Sequence, residues 1–323
     1  MSTRVGNVLR EEKTLSGPRE LSTEEIETYR NDGVVCLRAA LPLEWVKVLT
    51  QAMDDILADY SALKAAGVQR DGVMDIILDR SHLRAVSVLG EAAEAMGGSV
   101  LAEHRDGGRE GEFILVNNAV VDYAGIRRVA LESPLAALAG QLFGSSKVNF
   151  VFDQVLIKEP GALSRTAFHQ DQGYFKVDGV QVASFWTSCD SVDSNNGRMG
   201  YVRGSHRWAM HAPNMFVSQE TGPTHGLAQL PDIEGHEDEF DVIYFDVEPG
   251  DVIVHDYRTV HGSRGNVSTD QTRRAVSLRY AGDGVTYLDR PSARGEFPVD
   301  DDVSDGDSLD SATFPIVWRD PDN

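Results

Sequence analysis

A histidine and an aspartate two residues apart can share one metal ion, and the chain carries that spacing three times: His104 with Asp106, His169 with Asp171, and His236 with Asp238. On a strand, residues i and i+2 point to the same side, so a His-x-Asp at a strand end aims an imidazole and a carboxylate at one point; in a loop the spacing fixes nothing. His104 falls in "GGSVLAEHRDGGREGEF", which is Gly-rich and charged, and His236 in the acidic run "DIEGHEDEFD". Both read as solvated loops. His169 follows the strand-like run "VFDQVLIKEPG" and is flanked by Phe168, Tyr174 and Phe175, a setting that can be packed and rigid.

Two imidazoles and one carboxylate on one face of Fe(II) leave positions open for a cosubstrate and O2. The second imidazole must come from elsewhere, and "PGDVIVHDYRTVHGSRGN" offers His255 and His261. They are an even number of residues apart, so strand alternation allows either. A dicarboxylate cosubstrate also needs a cation for its far end, and the planar fork of arginine holds a carboxylate at two points. "TRRAVSLRY" offers Arg273, Arg274 and Arg279.

The elements that position these residues divide the chain in two. Residues 1–20 are polar and aperiodic and read as a loose tail. "LSTEEIETYRNDG" pairs Ser22 with Glu25 in a capping box and stops at Gly33, which predicts a short helix. "VVCLRAAL" predicts a strand. After Pro42, apolar residues at Val46, Leu49, Met53, Ile56, Leu57, Tyr60 and Leu63 predict an amphipathic helix ending near Gly67. "SPLAALAGQLFG" predicts another helix. From residue 147 onward short β-like runs alternate with turns and no helical period intervenes, which predicts an all-β sandwich or barrel and speaks against a Rossmann or TIM arrangement. The organisation expected is one domain over 1–323: a tail (1–20), a mainly helical part (21–146), a β core (147–285) and an acidic C-terminal segment (286–323).

With 323 residues, 41% of them hydrophobic, the chain can bury a large core. Its net charge of −21 argues against nucleic acid and anionic membrane as partners, since both would repel it. No run approaches 18 uninterrupted apolar residues, the N-terminus lacks the apolar stretch of a secretion signal, and Cys36 and Cys189 form no CxxC pair. A cytoplasmic protein with two free thiols is expected.

The segments "LSTEEIETYRNDGVVCLRAAL", "DQVLIKEPG", "AFHQDQGYF", "MGYVRGSH", "GDVIVHDYRTVHGS" and "RRAVSLRY" occur in the order found in the phytanoyl-CoA dioxygenase family of Fe(II)/2-oxoglutarate-dependent oxygenases, which the chain resembles over most of its length. The resemblance implies a mainly β fold with flanking helices, a double-stranded β-helix of the jelly-roll, cupin-like kind. It implies His169, Asp171 and His261 as iron ligands and Arg273 as the 2-oxoglutarate anchor. His255 then becomes a residue behind the site or in the core, and His206 a structural one. Trp186, Val155 and Ser263 fall where the family lines its cosubstrate pocket. Gln154 is added from its place on the strand before the ligand pair, and Tyr174, Phe175, Asn117 and Asn118 are candidate substrate contacts, with a lid from the loop near 97–111. The span from His211 to Asp241 reads as an insertion near the pocket mouth.

The cofactors implied are Fe(II), 2-oxoglutarate and O2, and the reaction is oxidation of an unactivated carbon in a small-molecule metabolite with release of succinate and CO2. A carboxylate at Asp171 favours hydroxylation over halogenation; desaturation, cyclisation, epoxidation and epimerisation stay open. The acidic balance points to a substrate less anionic than a CoA thioester. Two rival readings are a cupin-like metal enzyme that needs no 2-oxoglutarate and a non-catalytic β-sandwich binding protein. The sequence does not specify the oligomeric state.

Overall fold

The computed structural model describes residues 17–65, 75–79, 84–86, 111–214, 224–293, 297–298, 300 and 302–321. His104 and most of the expected lid lie outside the described residues, as do 215–223 of the expected insertion.

Helix α1 (Thr23–Asp32) begins where the capping box places it: Ser22 Oγ accepts from the Glu25 amide, and the Glu25 carboxylate accepts from the Ser22 amide. It ends at Gly33, in the left-handed region at φ 77°. A Cβ there would also collide with the His206 imidazole and the Thr259 hydroxyl, so the position needs glycine twice over. Strand β1 (Val34–Leu37) follows, then the long helix α2 (Leu43–Ala65). Strands β2 (Asp75–Asp79), β3 (Arg84–Val86) and β4 (Phe113–Asn117) precede three short helices, α3 (Ala119–Asp122), α4 (Ala124–Glu132) and α5 (Leu135–Phe143). The rest is β: β5 (Lys147–Lys158), β6 (Thr166–His169), β7 (Val177–Asp178), β8 (Val182–Ser188), β9 (Met199–Val202), β10 (Val242–Tyr244), β11 (Val252–Asp256), β12 (His261–Ser263), β13 (Arg273–Ala281), β14 (Thr286–Tyr287) and β15 (Ile316–Arg319).

Among the described residues the strands form three sheets, two that face each other and a small pair of β7 with β14. The major sheet runs β1-β11-β8-β13-β5-β4-β2-β3, with β15 also on β5; the minor sheet runs β10-β9-β12-β6. Strands from before residue 147 therefore extend the sheet on both sides: β1 pairs with β11, and β4 pairs with β5. The C-terminal segment contributes β15. One apolar cluster joins the outer face of the major sheet to the helices, with Val155, Phe185, Val254, Val276, Leu278 and Tyr280 meeting Leu49, Met53, Ile126, Val129 and Leu138. A second, smaller cluster fills part of the gap between the sheets, around Leu156, Met199, Tyr201, Ile253 and Ala275. The alternation of each strand sorts its residues between these two faces. Among the described residues, no helix is long and apolar enough to cross a membrane.

Candidate metal and anion site

His169 is the last residue of β6, and His261 is the first of β12, directly opposite it in the antiparallel pair. Cross-strand neighbours have close Cβ atoms, and here the two imidazole centroids lie 4.3 Å apart. Asp171 opens the 3-10 turn after β6 and turns its carboxylate back to both rings, Oδ1 lying 3.5 Å from His169 Nε2 and 3.9 Å from His261 Nε2. One ligand atom from each of the three falls within 4.8 Å of the others, and all three residues are buried.

The ring nitrogens facing away from this point are tied to carbonyls: His169 Nδ1 lies 2.8 Å from Ala167 O and His261 Nδ1 2.9 Å from Thr259 O. A carbonyl only accepts, so each Nδ1 donates and each Nε2 turns its lone pair to the shared point. Burial, reinforced by the neighbouring His255 and His169, holds the His261 imidazole well below its usual pKa. Burial alone would raise the Asp171 carboxyl, but the His169 and His255 imidazoles and the Arg279 charge outweigh it and hold the group well below the usual carboxylate range. A neutral His261 imidazole beside an ionised Asp171 carboxylate suits a divalent cation, which needs a free imidazole lone pair and a charged carboxylate.

The second oxygen of Asp171 is held from the major sheet. Ser184 Oγ donates to Oδ2 at 2.7 Å, while His255 Nε2 and an Arg279 terminal nitrogen approach it at 3.7 and 3.9 Å. His255 and His261 are thus not alternatives on one strand: the chain leaves β11 after Asp256 and crosses to the minor sheet before His261. His255 stays behind the carboxylate, burial holding its pKa below normal, with both ring nitrogens outside hydrogen-bond range of any partner among the described residues.

A cavity adjoins the cluster, lined by Gln154, Thr166, Trp186, Ser263, Arg273 and Arg279 among others. Of the three arginines on β13, Arg274 faces outward and pairs with Asp190 and Asp54. Arg273 faces inward, 1% exposed, its guanidinium carbon 5.6 Å from the Trp186 ring centroid. Nη1 donates to Gly197 O at 3.2 Å; among the described residues the buried Nε and Nη2 have no partner. Desolvation lowers its pKa to about 10, still a cation at neutral pH. A buried cation with two donors unused fits a carboxylate, which accepts two parallel bonds from one edge of a guanidinium. The buried residues therefore fit both a metal ion and an anion beside it.

Other expected residues spread around this centre. Gln154 lines the cavity, donating to Asn117 Oδ1 at 2.9 Å and accepting from Arg279 at 2.6 Å. Tyr174 meets the His169 ring edge-on at 5.6 Å, and its hydroxyl is held by Asn214. Phe175 packs against Phe152 and lies under the Arg279 guanidinium. Asn118 sits at the start of α3 with left-handed backbone, and its backbone N–H donates to Asp153 O. Val155 must be corrected: it is fully buried in the helix-facing cluster, because its neighbours Gln154 and Leu156 take the cavity face and alternation sends it to the other. Of the other His-x-Asp copies among the described residues, His236 is exposed at the edge of a 3-10 turn. Sequence reasoning missed Ser184 and left Arg279 as one of three candidate cations; the period of two along β8 and β13 puts both on the inner face, but only the pairing of those strands shows that they face one centre.

The sequence profile of the phytanoyl-CoA dioxygenase family matches residues 29–275. A probable phytanoyl-CoA dioxygenase of Caenorhabditis elegans is 30% identical over 150 residues, 45% of this chain; the chain spans just under half the length of that relative, 46%. Among solved structures, the non-heme alpha-ketoglutarate-dependent carbocyclase SnoK of nogalamycin biosynthesis is similar with TM-score 0.63 and 21% identity, over 94% of this chain and 100% of that one. The epimerase SnoN of the same biosynthesis has TM-score 0.58 and 22% identity, over 91% and 98%. EctD from S. alaskensis, solved with 2-oxoglutarate and 5-hydroxyectoine, has TM-score 0.58 and 19% identity, over 95% and 92%. These likenesses identify the two facing sheets as a jelly roll. With a family match over well more than half its residues, the chain belongs to the phytanoyl-CoA dioxygenase family of Fe(II)/2-oxoglutarate-dependent oxygenases.

Proposed function

We propose that the protein hydroxylates an unactivated carbon of a small-molecule metabolite, R–H + 2-oxoglutarate + O2 giving R–OH + succinate + CO2. The observation that carries this reading is the pairing of the buried His169–Asp171–His261 cluster with Arg273, a buried guanidinium whose Nε and Nη2 have no partner among the described residues. In this reading the three clustered residues hold Fe(II), and Arg273 holds the far carboxylate of 2-oxoglutarate. The bound iron supplies the oxidising chemistry; the protein supplies position and exclusion of water.

Trp186 covers one face of the Arg273 guanidinium and keeps water from competing for it. Ser184 fixes Asp171 Oδ2, so that Oδ1 alone faces the two imidazoles. The carboxylate at position 171 supports oxygen transfer rather than halide transfer, since it occupies the place a halide would need. Carbocyclisation and epimerisation, the activities in the names of SnoK and SnoN, need the same iron and cosubstrate and differ in how substrate is held.

Anaerobic addition of Fe(II) and 2-oxoglutarate tests the reading directly. Chelation of the keto acid should give a weak visible charge-transfer band, and Asp171→Ala should lose both the band and all succinate release. A wild-type protein that stays colourless and binds no 2-oxoglutarate would sink the proposal in favour of a binding protein. Arg273→Gln should weaken 2-oxoglutarate affinity by roughly ten- to a hundredfold, the scale of a lost charged hydrogen bond. Turnover without succinate in that variant would support a cupin-like enzyme instead.

A further inference from the structure

The cavity beside the metal cluster measures about 20 Å3, room for about one water, so a dicarboxylate enters only if part of its wall moves. On the major-sheet side the wall is β13, paired along its whole length with β5 and over most of it with β8. On the minor-sheet side it is the short pair of β6 with β12, whose register slips between His261 and Ser263. Gly262, at the slip, lies so close to β6 that a Cβ there would strike the Thr166 carbonyl and the Phe168 amide. A short, irregular ladder has fewer hydrogen bonds to break than a long regular one, so it yields first.

What lies behind this wall differs along its length. Toward His169 the outer face is packed, with Phe168, Val202, Ile233 and Val260 forming an apolar cluster with Leu230 and Phe240 of the 211–241 span. Toward Ser263 it opens on a second cavity of about 350 Å3, lined by Leu163, Arg165, Tyr244, Gly262 and Arg264 among others. Thr166 and Ser263, opposite each other in the β6–β12 pair, line both cavities. Lys158, opposite Arg273, donates to Ser263 Oγ at 2.9 Å and to the Arg264 carbonyl at 2.7 Å, so the anion-binding end of the inner cavity lies against this same stretch of wall.

The outer cavity carries a latch. Arg264 Nη2 pairs with Glu237 Oε1 at 2.9 Å and Arg165 pairs with Glu234, which joins the 211–241 span to the residues flanking β6 and β12. The arginine side chains are 73% and 40% exposed, and ion pairs so open to water hold weakly. When they part, two guanidinium groups are freed at the rim, a local attraction for an anion on a chain of net charge −21. We propose that the outer cavity is the passage by which the dicarboxylate enters and leaves the site, with residues 234–237 as its gate. The inference rests on the 2-oxoglutarate reading above. Succinate then leaves through the wall nearest Arg273, and the side of the metal near Gln154 and Tyr174 is left to the organic substrate.

A passage sets how fast a ligand exchanges and not how tightly it binds. The test is stopped-flow mixing of the anaerobic Fe(II) protein with 2-oxoglutarate, followed by the visible band of the chelate, with release measured by chasing labelled 2-oxoglutarate with unlabelled. Leu163→Trp, which adds bulk in the outer cavity, should slow association and release together by roughly tenfold. Glu237→Gln, which removes the charge from the latch, should speed both. The dissociation constant and the Fe(II) affinity should stay at wild-type values in each variant. Unchanged rates in both variants would overturn the passage and bring the cosubstrate in from the substrate side. A change in affinity carried by release alone would overturn it as well, since the residues would then act on the bound state. If Leu163→Trp does not fold, Glu237→Gln decides: exchange no faster than wild type overturns the inference. A wild-type protein that binds no 2-oxoglutarate removes the functional reading and this inference together.

Discussion

The two faces of the major sheet are built from the same strands and do opposite things. Along β13, Val276, Leu278 and Tyr280 face the helices, whereas Arg273, Ser277 and Arg279 face the gap. On β5, Val155 and Ile157 go outward while Gln154 and Lys158 go inward; on β8, Phe185 goes outward while Ser184 and Trp186 go inward. Each outward side chain removes apolar surface from water, about 1.5–3 kcal/mol for a fully buried aliphatic or aromatic residue. The inward face carries buried guanidinium, ammonium, imidazole and carboxylate groups, and burying charge costs several kcal/mol per ion. The difference teaches that the helix-facing layer offsets the cost of an interior that folding alone would not select.

The comparison can be broken at several points. Leu278→Ala, on the outer face, should lower unfolding free energy by about 2–5 kcal/mol in chemical denaturation while the folded fraction keeps wild-type affinity for Fe(II) and 2-oxoglutarate. A matching loss of affinity would show that the faces are not independent. Ser184→Ala, on the inner face of the neighbouring strand, should do the reverse: Fe(II) affinity falls by roughly tenfold by competition against a metal indicator, with a melting temperature close to wild type. The smallest effect is that of pH on the metal-free protein. His255 and His261 both have lowered pKa values when folded, burial being the main cause. The unfolded chain therefore binds protons that the folded one refuses, and stability should fall as pH drops through the unfolded value of about 6.5. His255→Gln should flatten that slope in denaturation profiles at several pH values. An unchanged slope would locate the sensitivity elsewhere.

Much of the site was legible because its residues come in short, ordered runs. "HQD" after a strand, "HGS" at a strand start and "RR" at the head of another carry their geometry with them, since His169 and His261 need only adjacent antiparallel strands to meet. Helix α1 was legible from its cap and its glycine stop. Val155 was misplaced because family position does not give the parity of a strand, and one residue of register exchanges the faces. Alternation alone left His255 and His261 undecided because the strand ends at Asp256 and the chain changes sheet before His261, an event that counting along a continuous strand does not reveal; the family resemblance was what set His255 behind the site. Ser184 looks in the sequence like an ordinary polar strand residue, and its hold on Asp171 appears only once β8 flanks β13 and the second sheet closes over them.

The clustered histidines and aspartate belong to the minor sheet and the turn after it, while Arg273 belongs to the major one. A molecule reaching from one to the other measures the thickness of the sandwich. The side chains that set this thickness are Leu156, Met199, Tyr201 and Ala275 in the filling between the sheets. Changing their bulk alters the spacing of the two halves of the site without altering a charged group in it, which makes the filling of the roll a tuning element: Leu156 and Met199 act as cavity wall and Tyr201 through its stack on His261, so the apolar filling is part of the site's dimensions.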